Sequence, residues 1–304
     1  MHSEAENKMA EPVFGPAGTP DDFPGGSTEK MPGWLASIGL SAFEYQCGRG
    51  VRVGEETARS IGRKALENDI FLSLHAPYYI NLANPDAARQ EKNVQYVIST
   101  VRAADAMGAS RVVVHSGTLL KRARGEALKT AMAALKTILR RCDGAGFGHI
   151  SLCPETMGKT GQLGTLEEVL SLCQLDERLI PCVDFGHLYA RSFGAAEGPE
   201  AFLEILDTIE RALGVKRAKR IHVHFSKIAY TKKGGELRHL TFDDPEYGPE
   251  FLPLASLMAA RDYCPVFICE SAGTQSRDAL RMKEIYFAER KRSYEPFSSD
   301  CPVP

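Results

Sequence analysis

The segment "RLIPCVDFGHLY" (178–189) decides which fold the sequence predicts, because it joins a short apolar run to polar residues placed where that run ends. An apolar run of this length is typical of a parallel strand that is covered on both faces. Asp184 follows the run at once, and His187 stands three residues later, beyond a glycine. The pair has three interpretations at this stage: two ligands of one metal ion, ligands of two different ions, or a cap on a following helix.

Seven other segments of the chain have the same form, and amphipathic stretches separate them. In 54–69, for example, Ile61, Ala65 and Leu66 share one helical face. Eight alternating units without a break in composition predict an α/β fold, namely a single TIM (β/α)8 barrel, with a doubly wound open sheet as the weaker alternative. The predicted strands are 12–15, 43–46, 70–76, 111–116, 149–155, 179–184, 220–225 and 266–271.

The boundaries follow from where this alternation begins and ends. We expect a disordered leader at 1–11, the barrel at 12–292 and a tail at 293–304. The connection 226–252 is unusually long for a barrel, and connections of that length are uncommon unless they carry function.

Bulk composition excludes some classes of protein. The formal net charge of −2 provides no general basic footprint for nucleic acid. We expect no signal peptide, because the opening is polar and lacks an apolar core region, and no membrane partner, because no apolar run is long enough to span a membrane. The eight cysteines include no CxxC pair, which favours reduced thiols and a cytoplasmic protein.

Residues with metal-binding side chains stand at the downstream ends of the predicted strands, where barrel enzymes assemble their active sites. Each histidine taken singly is also explained as a hydrogen-bonded structural residue, and a single glutamate is also explained as a helix cap. A shared inward cluster would, however, be costly to desolvate without a cation. The set contains six of the eight histidines: His75, His115, Glu155, Asp184, His187, His222, His224, His239 and Glu270.

The residue types also indicate which ions would bind. Imidazole together with carboxylate suits zinc, manganese or iron better than calcium or magnesium. A tetrahedral ion takes three or four ligands, so this number of candidates predicts more than one divalent ion.

At this point the chain resembles the endonuclease IV family of DNA-repair enzymes, within the wider xylose-isomerase-like barrel superfamily. The matching motifs occur in order and span nearly the whole chain, and the first of them is the most specific. They are "HAPYYINLANP" (75–85), "VVHSG" (113–117), "CPETMGK" (153–159), "VDFGHLYA" (183–190), "HVHFSK" (222–227), "RH" (238–239) and "CESAG" (269–273).

The resemblance implies three metal ions, typically zinc, with manganese as a possible alternative. His75, His115 and Glu155 would hold the first ion. Glu155 would bridge to a second ion, also held by Asp184, His222 and Glu270, and His187 and His239 would hold the third. It further implies hydrolysis of a DNA phosphodiester at an abasic site by a metal-activated hydroxide, with Glu155 and Glu270 as catalytic residues.

One position departs from the family pattern. The family has Asp-x-His in the long connection, whereas this chain has Leu237, Arg238 and His239. Leucine cannot bind a metal ion, so we expect a weakened third site unless Glu236, Asp243 or Asp244 replaces the missing carboxylate.

The resemblance also suggests where DNA would be contacted. The loops after the second and third strands contain Arg49 and the pair Tyr78 and Tyr79. An arginine and aromatic side chains fit a protein that separates stacked bases. The alternative readings are that Tyr78 packs on the barrel rim and that Arg49 is merely solvated.

The main rival function is a single-metal sugar isomerase or epimerase of the same superfamily. Glu155, Asp184, His222 and Glu270 would hold one ion, and Glu155 and Glu270 would act as acid and base on either side of a carbon. The remaining histidines have no necessary task in such an enzyme, which favours the phosphodiesterase. The expected partner is therefore DNA with abasic sites or, under the rival, a small sugar, and the chain is expected to be a monomer. A barrel that only binds a metal or a partner is the third alternative.

Overall fold

The computed structural model describes residues 11–294, and ten strands and ten α-helices lie within them. The predicted leader and tail fall outside these residues, except for Glu11 and the end of the last helix, which continues two residues past the predicted boundary at 292. The strands are β1 (Val13–Pro16), β2 (Ala42–Gln46), β3 (Phe71–His75), β4 (Arg111–Val114), β5 (Ser151–Pro154), β6 (Cys182–Asp184), β7 (His222–Phe225), β8 (Lys227–Thr231), β9 (Gly235–Leu240) and β10 (Val266–Cys269). The helices are α1 (Met31–Ser37), α2 (Glu55–Glu67), α3 (Ala87–Met107), α4 (Arg124–Gly144), α5 (Leu166–Cys173), α6 (Phe185–Arg191), α7 (Gly198–Leu213), α8 (Val215–Ala218), α9 (Phe251–Ala260) and α10 (Gln275–Tyr294).

Eight parallel strands close into a barrel. They form two four-stranded sheets, ordered β1-β10-β7-β6 and β2-β3-β4-β5. One seam joins β1 to β2, where Ala17 pairs with Glu44 and the amide of Gly18 donates to the Glu44 carbonyl at 2.9 Å. The other seam joins β5 to β6, where Glu155 pairs with Cys182. The prediction of a TIM barrel is confirmed, and each predicted strand overlaps an observed one.

Apolar side chains cover both faces of the barrel strands. In β10, Phe267 packs in the large core between strands and helices, whereas Val266 and Ile268 belong to a separate small cluster inside the barrel. Successive side chains of a strand point to opposite faces, so a continuous apolar run is what such a strand requires. The interior is not entirely apolar, because Glu44 and His224 are fully buried within it.

Three elements in and after the long connection were not anticipated from the sequence. The connection 226–252 contains an antiparallel hairpin, β8–β9, in which Lys227 pairs with Leu240 and a bulge occurs at Ala229 and Tyr230. Helix α9 follows it, and because nearly all its residues are apolar, periodicity could not distinguish it from a buried strand.

Two further observations bear on the bulk predictions. No disulfide bond joins any two of the seven cysteines within residues 11–294, and six of the seven are buried. Over the same range, no helix combines the length and the apolar character needed to cross a bilayer.

The seam between β1 and β2 requires a residue without a side chain at position 15. A Cβ atom on Gly15 would lie 1.8 Å from the carbonyl oxygen of Ala42. We predict that Gly15→Ala lowers the free energy of unfolding by about 3 kcal/mol, because the clash is with backbone that cannot rotate away. Denaturant titration measures this. Gly125→Ala is the matched control, since a Cβ there meets no atom within 4 Å, and an equal loss in both variants would contradict the prediction.

Candidate metal centre

The carboxyl ends of the barrel strands bring the predicted ligand residues together. His75 and Asp184 are the last residues of β3 and β6, and His115, Glu155 and Glu270 each come one residue after a strand. A pocket of about 260 Å³ opens at this rim. Its lining residues are Gln46, His75, Tyr78, His115, Glu155, Met157, Lys159, Gln162, His187, Glu236, His239 and Glu270.

The first ligand group consists of His75, His115 and Glu155. The Nε2 atoms of both histidines lie 3.1 Å from Oε2 of Glu155. Their Nδ1 atoms face main-chain carbonyls, that of Ala76 at 2.7 Å and that of Tyr78 at 3.2 Å. A proton on Nδ1 leaves the lone pair on Nε2 directed at the group, which is the arrangement of histidine ligands in metal sites.

The central group consists of Glu155, Asp184, His224 and Glu270, whose candidate ligand atoms all lie within 4.8 Å of one another. Nδ1 of His224 is 3.2 Å from Oε1 of Glu155 and 3.6 Å from Oε1 of Glu270. Oδ2 of Asp184 is buried and accepts no hydrogen bond from the described residues. It faces Nδ1 of His187 at 3.2 Å, but a buried carboxylate oxygen that accepts no hydrogen bond is costly, and a cation bound here would stabilise it.

Asp184 and His187, the pair in the opening motif, face different groups. Oδ1 of Asp184 accepts the amide of His187 at 2.7 Å and so caps α6. The imidazole of His187 donates from Nδ1 to the carbonyl of Thr156 at 2.9 Å, which leaves Nε2 free to face away from Asp184. The acid thus caps a helix and also serves the central group, and the histidine belongs to the next group.

The third group consists of His187, Glu236 and His239. Oε2 of Glu236 lies 3.5 Å from Nε2 of His187, so Glu236 supplies the carboxylate that position 237 lacks. Leu237, its neighbour on β9, is 60% exposed, because the bulge leaves it without a partner between Glu236, which pairs with Tyr230, and Arg238, which pairs with Ala229.

The other two acids considered for the third group have different partners. Asp243 pairs with Arg277 and Arg281, and Asp244 accepts the amide of Tyr247.

Comparison with known proteins places the chain in a family. A family model described as xylose isomerase-like TIM barrel matches residues 32–288. The chain belongs to this family. A protein of Methanocaldococcus jannaschii described as uncharacterized is 32% identical over 275 residues, which are 89% of this chain and 96% of that protein. Endonuclease 4 of Thermus thermophilus is 31% identical over 153 residues, and the match spans 50% of this chain and 52% of that protein. The predicted resemblance to endonuclease IV is confirmed, although this chain covers only about half the length of those relatives.

Solved structures of two kinds share the fold of this xylose isomerase-like barrel. A D-tagatose 3-epimerase-like protein has a TM-score of 0.68 at 20% identity, with 92% of this chain and 98% of that chain covered. Endonuclease IV from Thermus thermophilus has a TM-score of 0.64 at 20% identity, with 92% of this chain and 100% of that chain covered. At this level of identity the likeness shows the fold alone. The chain therefore shares its fold with an endonuclease and with an epimerase-like protein.

The structure places one predicted ligand away from the centre. His222, which the sequence analysis assigned to the second ion, lies deeper in the barrel and contacts Glu44 at 3.0 Å. His224 takes its place in the central group. Both side chains are on the inner face of β7, and His224 is nearer the carboxyl end, where barrel enzymes hold their ligands. That rule applied to the motif "HVHF" would have selected His224.

Glu44 is a second buried site residue that sequence reasoning missed. Its signal was an acid within the otherwise apolar strand "AFEYQ", where a charge is stable only with partners.

Close packing of charges shifts the pKa values of the carboxylates in the cluster. Burial disfavours the charged form of Glu155, yet His115, His187 and His224 hold its pKa well below the usual range. The pKa of Asp184 is raised to about 6, mainly by burial. His187 opposes this shift, whereas the negative charges of Glu270 and Glu155 add to it. In this arrangement imidazolium protons balance the carboxylates, and divalent cations can replace those protons.

The predicted DNA-contact residues lie at the mouth of the pocket. Tyr78 and Tyr79 are 54% and 41% exposed, and their ring centroids are 5.8 Å apart. The amide of Tyr78 donates to the carbonyl of Gly48, which brings the exposed Arg49 into an adjoining loop. The three residues therefore share one surface, and their role in binding stays a prediction.

The first prediction for this centre concerns Glu236. We predict that Glu236→Ala weakens binding of one ion by about 10–100-fold or more, because even an outer partner of a metal ligand has effects of that size. Elemental analysis after dialysis against a zinc buffer then shows one ion fewer per chain. Leu237→Ala is the matched control, because Leu237 is the exposed neighbour of Glu236 on β9. An unchanged count in Glu236→Ala, or an equal loss in the control, would contradict the assignment.

The second prediction concerns pH. Burial opposes the charged form of His75, but the hydrogen bond and the charge of Glu155 outweigh it and raise the pKa of His75 to about 9. A proton on Nε2 competes with a metal ion, so zinc affinity at the first group should rise about tenfold per pH unit from pH 6.5 towards 9. Zinc titrations at several pH values measure the slope. A flat profile over this interval would show that no proton is displaced.

Proposed function

We propose that the protein is a metal-dependent phosphodiesterase that hydrolyses DNA at abasic sites with two or three bound divalent ions, zinc foremost and manganese second. One observation carries the proposal: three ligand groups adjoin one another along one pocket, and Glu155 belongs to two of them. Phosphodiester hydrolysis requires stabilisation of charge on both the attacking and the leaving oxygen, for which several neighbouring ions are suited.

The chain's own residues have distinct tasks in this proposal. Bound divalent ions would lower the pKa of water and neutralise phosphate oxygens. The pKa of Glu270 is lowered: burial raises it, but the charges of His224 and His239 outweigh that effect. This carboxylate therefore stays ionised and can accept a proton from the attacking water. Lys159 and Gln162 line the same pocket and can hold phosphate oxygens.

The surface around the pocket supports a nucleic-acid substrate. Tyr78, Tyr79 and Arg49 are exposed beside it and can stack on bases next to a missing one. A pocket of about 260 Å³ has the size of one sugar phosphate and is too small for a base pair. An abasic nucleotide turned out of the duplex satisfies both conditions.

A single-metal sugar epimerase or isomerase is the second candidate. Glu155, Asp184, His224 and Glu270 form a complete ligand set for one ion, and two of them are glutamates that can act as acid and base. This candidate gives no task to the other two ligand groups. His75 and His115 in particular would surround Glu155 without contributing to the reaction.

The variant His115→Ala separates the two functions. We predict that the wild type nicks a duplex carrying an abasic-site analogue, that chelation abolishes nicking, and that His115→Ala lowers the rate at least about 100-fold, since a catalytic ion supplies several kcal/mol. An electrophoretic nicking assay measures this. If the protein is instead a single-metal epimerase, His115→Ala should retain most of its epimerase activity.

His149→Ala is the matched control, because His149 lies outside the pocket and pairs with Asp105. The protein should also be assayed with ketoses. Conversion of a ketose by a protein with one bound ion, without nicking, would replace this proposal by the epimerase.

A further inference from the structure

Glu44 is a buried acid directly beneath the central ligand group. It lies in the middle of β2, is fully buried and does not line the pocket. Its oxygens receive hydrogen bonds from the hydroxyl of Ser73 at 2.9 Å and from Nε2 of Gln46 at 3.2 Å. A carboxylate removed from water is costly unless its partners compensate, so its presence in a barrel interior calls for a function.

Two histidines of β7 face the two oxygens of this acid. Nε2 of His222 is 3.0 Å from Oε2 of Glu44, and Nε2 of His224 is 3.1 Å from Oε1. The histidines are two residues apart on one strand, so their side chains point to the same side. Glu44 is therefore held between two imidazoles, and only one of them, His224, reaches the central group.

His224 is oriented in the opposite way to the other ligand histidines. His75, His115 and His187 direct Nδ1 at main-chain carbonyls and present Nε2 to the cluster. His224 presents Nδ1, which is 3.2 Å from Glu155. Its Nε2 therefore points into the barrel, 3.1 Å from Oε1 of Glu44, although the angle there is not that of a hydrogen bond.

We propose that Glu44 is a positioning residue that keeps the proton of His224 on Nε2 and so directs the lone pair of Nδ1 at the central ion. His222 holds the other oxygen of Glu44 and thereby keeps Oε1 turned towards His224. A carboxylate behind a histidine ligand orients the ring and increases its basicity. The central ion alone depends on this acid, because the other groups use main-chain carbonyls or, for His239, the hydroxyl of Ser226. The inference rests on the metal binding in the proposed function.

The test is zinc binding by Glu44→Gln, measured by elemental analysis over a series of buffered free zinc concentrations. We expect the binding step of the central ion to move to about 10–100-fold higher free zinc, with the other steps unchanged. Asp184→Asn identifies the central step, because Asp184 serves that group only. Glu168→Gln is the matched control: Glu168 is a buried acid that pairs with Arg124 outside the centre.

A second measurement needs no substitution in Glu44 and so does not depend on that variant folding. In the zinc-loaded wild type labelled with 15N-histidine, the His224 signal, identified by its loss in His224→Asn, should show the proton on Nε2. A proton on Nδ1 would overturn the inference, as would unchanged zinc binding by a folded Glu44→Gln protein. An equal weakening of all binding steps would show a merely structural role and overturn it too. A wild type that binds no ion would instead refute the proposed function.

Discussion

The carboxylate of Glu155 is the group on which the rest of the centre depends. One oxygen faces His75 and His115 and the other faces His187 and His224, so a single side chain joins three elements and the loop after β4. It is almost fully buried, and a buried charge is stable only when it is surrounded by partners of opposite sign or bound to a cation. Its backbone pairs with Cys182 at the seam between β5 and β6. Closure of the barrel and assembly of the cluster therefore use the same residue.

The orientation of each imidazole follows from the acceptor group that its second ring nitrogen faces. At the rim the chain leaves the strands, and main-chain carbonyls such as those of Ala76 and Thr156 become available to accept from Nδ1. Within the barrel the backbone groups are engaged in the sheet, so the group that Nε2 of His224 faces, at 3.1 Å, is the side chain of Glu44. A polar layer beneath the centre, built around Glu44, is thus a consequence of placing a ligand on a strand rather than after it.

The third group depends on the β8–β9 hairpin and on small residues that let it approach. A Cβ atom on Gly158 would lie 2.6 Å from Cβ of Glu236, and one on Gly186 would lie 2.5 Å from the carbonyl oxygen of Ser226. Glycines at these positions allow the hairpin to pack directly against the loop after β5 and against α6. This contact brings Glu236 within reach of His187. The departure at Leu237 therefore moves the carboxylate by one residue along β9, and the group remains complete.

The sequence by itself determined the barrel and most of its rim. Continuous apolar runs ending in His75, Glu155 or Asp184 predict parallel strands with ligands at their carboxyl ends, because alternation and burial are local properties of a strand. His222 and His224 point to the same face of β7 and differ only in depth, so the choice between them follows from the sequence once ligands are placed at the carboxyl end of a strand. Tertiary structure alone decided what lies beneath the centre. It also decided that Glu236 completes the third group, because a bulge and a close glycine contact set the register of the hairpin. Glu44 and His222 are 178 residues apart in the sequence, and only closure of the barrel brings them together.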